Sequence, residues 1–298
     1  VAEGNFARAY AIVKSANSLP AICGRVCPQE TQCEGVCTRG KNGEPVSIGR
    51  LERFTSDWAF EHPEEAAAAM EEFACEGEGL VEQTAGDDAA ASIDLSGKRV
   101  AVVGSGPASL TCAGELAKLG CDVTAVDFSR DMLDEAKRNA ARAGAASIEF
   151  VQADVQRLAF EEGSFDMAVS RNVLWVLPDA AAAYAGAFRA LRPGGVLVAF
   201  DANYGSAFNA AAAAGHAPVH PTQSADQLRE RNAIVADLPV TRAKRPAWDL
   251  AELLDLGATE VHCLRDAEFL PGIGSGEKFS AQVSAQERAV PFIVSARK

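Results

Sequence analysis

The chain lacks several features that would each announce a class of protein. No apolar run approaches the ~18 residues that a membrane-spanning helix needs, so a membrane is not expected as a partner. Basic residues are outnumbered, 28 Lys and Arg against 41 Asp and Glu, for a formal net charge of −13. That is the opposite of a nucleic-acid footprint, so nucleic acid is not expected either. No self-similarity at a period of about 20–50 residues is present, which removes solenoids and propellers. The opening Val1-Ala2-Glu3-Gly4 has neither a Met nor a charged-then-apolar signal, and the sequence is expected to begin in mid-protein. Residues 61–97 hold no Lys or Arg at all against 11 acidic groups, while the flanking stretches are nearly balanced. The acidity therefore reads as a solvated connector rather than as a property of a site.

What is present suits a packed protein. The 298 residues are 48% hydrophobic and 23% charged, enough for one large or two modest domains. Residues 1–58 are punctuated by Gly and Cys and carry short helical pieces, and 61–73 read as an Ala- and Glu-rich helix, so that 1–73 are expected to form a helical first domain. Residues 74–97 read as an acidic linker. From Lys98 the texture alternates: strands are expected at 99–103, 122–126, 148–152, 165–170 and 196–201. Helices are expected at 107–119, 130–143 and 179–191, with a turn at 192–195. The tail adds a helix at 248–256 and strands at 259–264 and 290–296. Strands separated by helices of this length mean βαβ units and a parallel sheet. The fold class expected over 98–298 is thus α/β, a Rossmann-like sheet, with an insertion at about 206–247.

Eight cysteines occur, and four of them, Cys23, Cys27, Cys33 and Cys37, fall within fifteen residues at spacings of 4, 6 and 4. With no secretion signal, such a cluster points to metal rather than to disulfides and to a cytoplasmic setting. Thiolates suit iron–sulfur clusters or zinc; the spacing is not that of a zinc ribbon, and Cys27-Pro28 resembles ferredoxin-type sites. The alternative is four buried or unliganded thiols.

The text around these cysteines, Leu19-Pro-Ala-Ile-Cys-Gly-Arg-Val-Cys-Pro-Gln-Glu through Val46-Ser-Ile-Gly-Arg-Leu-Glu-Arg-Phe54, closely resembles the N-terminal iron–sulfur domain of the glutamate synthase small subunit and of dihydropyrimidine dehydrogenase. The resemblance implies an all-helical domain with [4Fe–4S] clusters, each liganded from two cysteine rows. Cys27, Cys33 and Cys37 match liganding positions of the second row, Cys23 a recurring position, and Glu52 a place where some relatives offer a non-cysteine ligand. The first row is absent from this sequence, so the thiols at hand amount to at most one cluster. The resemblance also implies a partner subunit joined through this domain.

Strand 99–103 runs into Gly104-Ser105-Gly106-Pro-Ala-Ser109 and a helix, a turn whose backbone N–H groups can approach a polar cofactor. The next strand ends in Asp127, placed to accept ribose hydroxyls. The alternative is a tight turn in a cofactor-free sheet. Residues 98–126 continue the glutamate synthase resemblance into the start of its FAD domain. Ser109 replaces that family's third glycine and is expected to crowd the helix–strand contact. No second dinucleotide turn follows, so FAD and NADPH chemistry are not expected.

From Asp127 onward the chain resembles a class I S-adenosylmethionine-dependent methyltransferase of the small-molecule kind. The carrying residues are Val126-Asp127-Phe-Ser-Arg-Asp-Met-Leu, Phe150-Val-Gln-Ala-Asp154-Val, Gly163-Ser-Phe-Asp166-Met-Ala-Val and Leu191-Arg-Pro-Gly-Gly-Val-Leu197. The resemblance implies a mostly parallel sheet with the last strand antiparallel, S-adenosylmethionine as cofactor and a small-molecule methyl acceptor. Asp127 would hold the ribose and Asp154 the adenine amino group. Arg171, Asn172 and Val173 would line the methionine side, with Asp166 at the start of its strand. Capping or turn duty is the alternative for Asp154 and Asp166. Such enzymes usually carry an acid two residues before the first glycine; here that position is Val102, and Val102→Asp is expected to tighten binding. Methyl transfer is mostly alignment, so no triad is expected. His216, His220 and Tyr204 are the candidates for handling an acceptor's proton, against loop histidines and a capped turn at 201–204. Trp175 and Trp248 are read as core or lid packing. The two resemblances meet near Leu119–Asp127, inside one βαβ unit, which reads as a recombined or fragmentary frame whose sheet still closes.

Overall fold

The computed structural model describes residues 1–17, 19–27, 29–31, 33–75, 95–104, 106–142, 147–213, 224–265 and 290–298. The chain divides into two compact units, Val1–Ser92 and Ile93–Lys298. Most of the acidic connector, Ser105, His216 and His220 lie outside the described residues. No helix among the described residues is long and apolar enough to cross a membrane.

The first unit is helical: α1 (Phe6–Ala16), α2 (Pro20–Val26), α3 (Ile48–Glu61) and α4 (Pro63–Cys75). Asn5 caps α1, its Oδ1 accepting from the Arg8 N–H at 3.0 Å. The helix expected at 61–73 begins instead at Pro63. Glu61 closes α3, and His62 turns the chain because a residue before proline is driven out of the helical region. Helix α2 lies against α3, and α1 against α3 and α4. A Cβ on Gly24 would sit 2.7 Å from the Arg53 backbone nitrogen, so the α2–α3 approach depends on the missing side chain. Phe6 packs edge-on against Phe54 with ring centroids 5.0 Å apart.

The second unit is a seven-stranded sheet made of β1 (Arg99–Val103), β2 (Asp122–Asp127), β3 (Ile148–Gln152), β4 (Phe165–Arg171), β5 (Leu191–Ala202), β6 (Glu260–Arg265) and β7 (Pro291–Arg297). Their order is β3-β2-β1-β4-β5-β7-β6. The first five run parallel, and β7 is antiparallel to both β5 and β6, as expected. Helices α5 (Pro107–Lys118), α6 (Arg130–Arg142) and α7 (Ala180–Ala190) connect the parallel strands. Alternation along β1 feeds two cores. Val100 and Val102 join Ala113 of α5 in one, and Ala101 joins Tyr184 and Phe188 of α7 in the other.

One expectation is corrected here. The turn at 192–195 lies within β5: Leu191 pairs with Phe165 and Val196 with Met167, so the Pro-Gly-Gly residues form a bulge, with Gly194 at φ +77°. The insertion is helical where described: α8 (Tyr204–Ala213), α9 (Ala225–Asp237) and α10 (Pro239–Arg242), followed by α11 (Ala247–Asp255). Ser224 and Gln227 form a reciprocal capping box that starts α9.

Candidate functional site

Strand order reverses between β1 and β4, and open α/β sheets bind ligands in the crevice beyond the strand ends at such a point. A cavity of about 640 Å³ occupies this place, within the usual range for small-molecule sites. Register lays out its floor. Val103 is level with Val126 of β2 and Ser170 of β4, so the next residues, Asp127, Gly104 and Arg171, form a row across three strand tips. At about 4.8 Å per strand, the Asp127 and Arg171 backbones stand roughly 10 Å apart with the glycine turn between them.

Gly104 adopts φ +95°, and its N–H donates to Val126 O at 2.7 Å. That conformation favours glycine. Gly106 precedes α5, whose first residue is Pro107. Ser109 does not crowd the contact as expected. It is 6% exposed, and its hydroxyl donates to Val103 O at 3.4 Å, serving a carbonyl at the strand end. Val102 is also not what its position suggested. It is 1% exposed and packed in the core beneath α5, so a carboxylate there would enter the core and not the cavity.

Asp127 and Asp154 both line the cavity. Asp127 ends β2, its Oδ1 accepting from the Ser129 N–H at 2.7 Å. Asp154, beyond β3, accepts from the Gln156 backbone N–H and side-chain amide, both at 3.0 Å, and these bonds hold its carboxyl below the usual range. The capping role and the wall position are thus combined in one residue. Arg171 and Asn172 also line the cavity. Asn172 adopts φ +54°, rare for a residue with a side chain, and its N–H donates to Phe200 O at 2.8 Å. Phe128 and Gln156 are among the wall residues that the sequence reading did not single out. Phe128 is 75% exposed over the cavity, and Gln156 orders Asp154; a large apolar residue directly after the strand-ending acid was the available signal for the first.

Tyr204 stands at the start of α8 with its hydroxyl 3.5 Å from Asn172 Oδ1 and its ring edge-on to Trp175 at 5.1 Å. Burial pushes its phenol up, so it stays a neutral donor. Asp201 and Asn203 do not face the cavity. Asp201 is buried in an ionic knot: Arg245 Nη2 reaches it at 3.2 Å and Asp249 at 2.7 Å, and Tyr184 donates to Asp249 at 2.8 Å. Asp201 Oδ2 also accepts from the Trp175 N–H at 3.2 Å, tying the turn after β4 to β5. Asn203 donates to the carbonyls of Thr241 and Ala243. Trp248 packs into the core beside Tyr184. Asp166 sits at the opposite end of β4, where it accepts from the Arg99 N–H at 3.0 Å and pairs with Arg192 and Lys98, a structural role.

In the first unit, Cys23 lies in α2 and its thiol donates to Asn17 Oδ1 at 3.7 Å. The Cys27 thiol is pushed up by burial and by neighbouring Cys23, Glu52 and Cys33, which share its surroundings. Glu52 of α3 accepts from Asn17 Nδ2 at 3.0 Å and Gln29 Nε2 at 3.4 Å. Cys37 accepts from the Val46 N–H at 3.5 Å, and backbone donors at Val46, Gly40 and Arg39 lower its pKa. The thiols have the chemistry for a cluster, but among the described residues no three His, Cys, Asp or Glu side chains are gathered as metal ligands. No electron-transfer step is derived from them.

Comparison with known proteins finds a family match within each unit. Residues 1–64 match the family described as dihydropyrimidine dehydrogenase domain II, 4Fe-4S cluster, and residues 102–199 match the family described as methyltransferase domain. The chain is thus similar, over these two stretches, to a 4Fe–4S domain and to a methyltransferase domain. The methyltransferase match begins at Val102 and so includes the glycine turn. Among curated proteins, the chain is 37% identical over 131 residues to the glutamate synthase [NADPH] small chain of Escherichia coli (strain K12), covering 43% of this chain and 22% of that protein. It is 36% identical over 120 residues to the NAD-dependent dihydropyrimidine dehydrogenase subunit PreT of Salmonella typhimurium, covering 40% and 24%. The chain thus spans about a fifth to a quarter of the length of these relatives. Among solved structures, phosphoethanolamine N-methyltransferase 2 of Haemonchus contortus with S-adenosyl-L-methionine matches at 19% identity and TM-score 0.48, covering 68% of this chain and 49% of that one. An S-adenosylmethionine-dependent methyltransferase from Mesorhizobium loti matches at 20% identity and TM-score 0.48, covering 69% and 93%.

Proposed function

We propose that the second unit binds S-adenosylmethionine and transfers its methyl group to a small molecule. The observation that carries this reading is the row across the strand tips: a glycine turn with an acid on the neighbouring strand, opening on one cavity that Asp154 also lines. The residues present fit the cofactor. Asp127 would accept from the ribose hydroxyls, Asp154 from the adenine amino group, and Phe128 would cover the base. Bound cofactor would supply a methyl on a sulfonium sulfur, which departs as a neutral thioether and needs no acid catalysis. The chain's own task is then alignment. Asn172, fixed by its bond to Phe200, and Tyr204, a neutral phenol, would orient the acceptor and take a hydrogen bond from it or donate one to it. Calorimetric titration with S-adenosylhomocysteine tests the reading. Binding by the wild type, weakened about ten- to a hundredfold in Asp127→Asn, is expected for one lost charge-assisted bond. No binding by the wild type would overturn it.

A second reading concerns the first unit and rests on its 4Fe–4S family match together with the Cys23, Cys27, Cys33 and Glu52 neighbourhood. It takes this unit as an iron–sulfur module in a reducing, cytoplasmic setting that docks a partner subunit, with one cluster's worth of thiols on this chain. Anaerobic reconstitution with iron and sulfide would give a brown protein with broad visible absorbance, diminished in Cys27→Ser; a colourless product would end this reading.

A further inference from the structure

Two donors hold Asp154 in the cavity wall, and both belong to Gln156. Beyond β3 the chain enters one turn of 3-10 helix, Val155–Arg157, for which Asp154 is the cap. A cap needs only the bond from a backbone N–H, here that of Gln156 to Asp154 Oδ1 at 3.0 Å. The Gln156 side chain adds a second bond, its Nε2 donating to the same oxygen at 3.0 Å. The other end of that amide is also occupied, because Oε1 accepts from the Asp179 N–H at 2.8 Å. Asp179 in turn caps α7, its Oδ1 accepting from the Ala182 N–H at 2.8 Å.

These partners decide which way the amide points. A backbone N–H can only donate, so it demands the carbonyl oxygen of the Gln156 side chain and sends the amino end to the carboxylate. Both donors end on Oδ1, and Asp154 Oδ2 accepts no hydrogen bond from another described residue. One oxygen is thus used to hold the group still, while the other is left for a ligand in the cavity that Asp154 and Gln156 both line. The same bonds favour the charged form of the carboxyl. The segment that carries them is fastened to α7 a second time: Arg189 donates to the carbonyls of Phe160 and Leu158, each at 2.8 Å.

We propose that Gln156 is a positioning residue that sets how strictly the site demands an amino group on the cofactor's base. Held by the Asp179 N–H, it pins Oδ1 of Asp154 and leaves Oδ2 to meet the 6-amino group of adenine. The inference rests on the cofactor reading above and deepens it. A carboxylate on a freely turning side chain would lose that freedom when it bound an amino group. Fixed beforehand between two elements of the scaffold, it binds without that loss, which is the advantage of preorganisation. A base with no donor at this point leaves a desolvated acceptor unpaired, and that is what rejects it.

Two ligands separate this role from simple support of the fold: S-adenosylhomocysteine, and its analogue with hydrogen in place of the 6-amino group. Titrated calorimetrically into the full chain, the analogue should bind the wild type about ten- to a hundredfold more weakly, the value of one charge-assisted bond. Gln156→Met, similar in length but without a donor, should weaken S-adenosylhomocysteine about three- to tenfold. It should leave the analogue unchanged, which also shows that the variant is folded. In an Asp154→Ala background, where binding of the analogue again reports folding, Gln156→Met should have no further effect on either ligand, because the carboxylate it acts through is gone. Equal weakening of both ligands by Gln156→Met, an unchanged S-adenosylhomocysteine affinity, or an effect that persists without Asp154 overturns the proposal. So does a wild type that binds the two ligands equally. Failure of the wild type to bind either ligand overturns the cofactor reading and this inference together. Asp127→Asn, which removes the ribose contact, should weaken both ligands alike and so tells the two claims apart.

Discussion

The two units of this chain are built on different economies of contact. The sheet unit sets its candidate site residues by backbone register: Asp127, Gly104 and Arg171 are level because their strands are paired, whatever their side chains do. Among its described residues the helical unit has no such ladder between its elements. Its cysteines sit on a short helix and the loops after it, and their spacing depends on how closely α2 meets α3 and on polar bonds through Glu52. A cavity is therefore complete in the first case, while in the second the donors share a neighbourhood without forming a ligand set among the described residues. Register is a property of the main chain and survives many substitutions; helix approach is decided by single side chains.

That contrast can be broken from either side. The largest effect is expected from Arg245→Met, which leaves Asp201 and Asp249 buried without their cation; urea denaturation followed by tryptophan fluorescence in a Trp58→Phe background should show a loss of about 3–5 kcal/mol. Val102→Asp should follow at about 3 kcal/mol by the same measurement, because the new carboxylate is desolvated in the core. It should not tighten binding of S-adenosylhomocysteine, and a gain in affinity would mean that residue 102 faces the ligand. In the helical unit, Gly24→Ala should cost about 1–3 kcal/mol, since its Cβ would press on the Arg53 backbone. Trp58 fluorescence in a background lacking Trp175 and Trp248 reports it. An unchanged midpoint would show that α2 and α3 separate easily.

Much of the sheet was legible in the sequence because its evidence is local. Apolar runs such as Val100–Val103 and Val123–Val126, bounded by turns, mark strands, and the helices between them fix parallel order. The acids at 127 and 154 could be placed for the same reason: each directly follows or ends such a run. What could not be read depends on distant partners. The ionic knot joins Asp201 to Arg245 across 44 residues, and only the Arg245–Asp249 spacing, one helical turn, hinted at it. Val102 looked like a site residue by its distance from Gly104, yet strand alternation sends it under α5. The prolines and polar residues of the insertion announce no element, although Ser224 and Gln227, three apart, are a legible start for α9. Pro193-Gly-Gly read as a turn; that it lies inside β5 as a bulge follows from pairing with β4, which no local pattern announces.

The row of three strand tips has a last consequence. The gap between its acid and its cation is measured by hydrogen-bonded backbone, a ruler with fixed divisions. Replacing side chains can change the chemistry at either end but cannot alter the length being gauged. Any ligand meeting both Asp127 and Arg171 would have to match that length, and the scaffold has no means of stretching to reach a longer one.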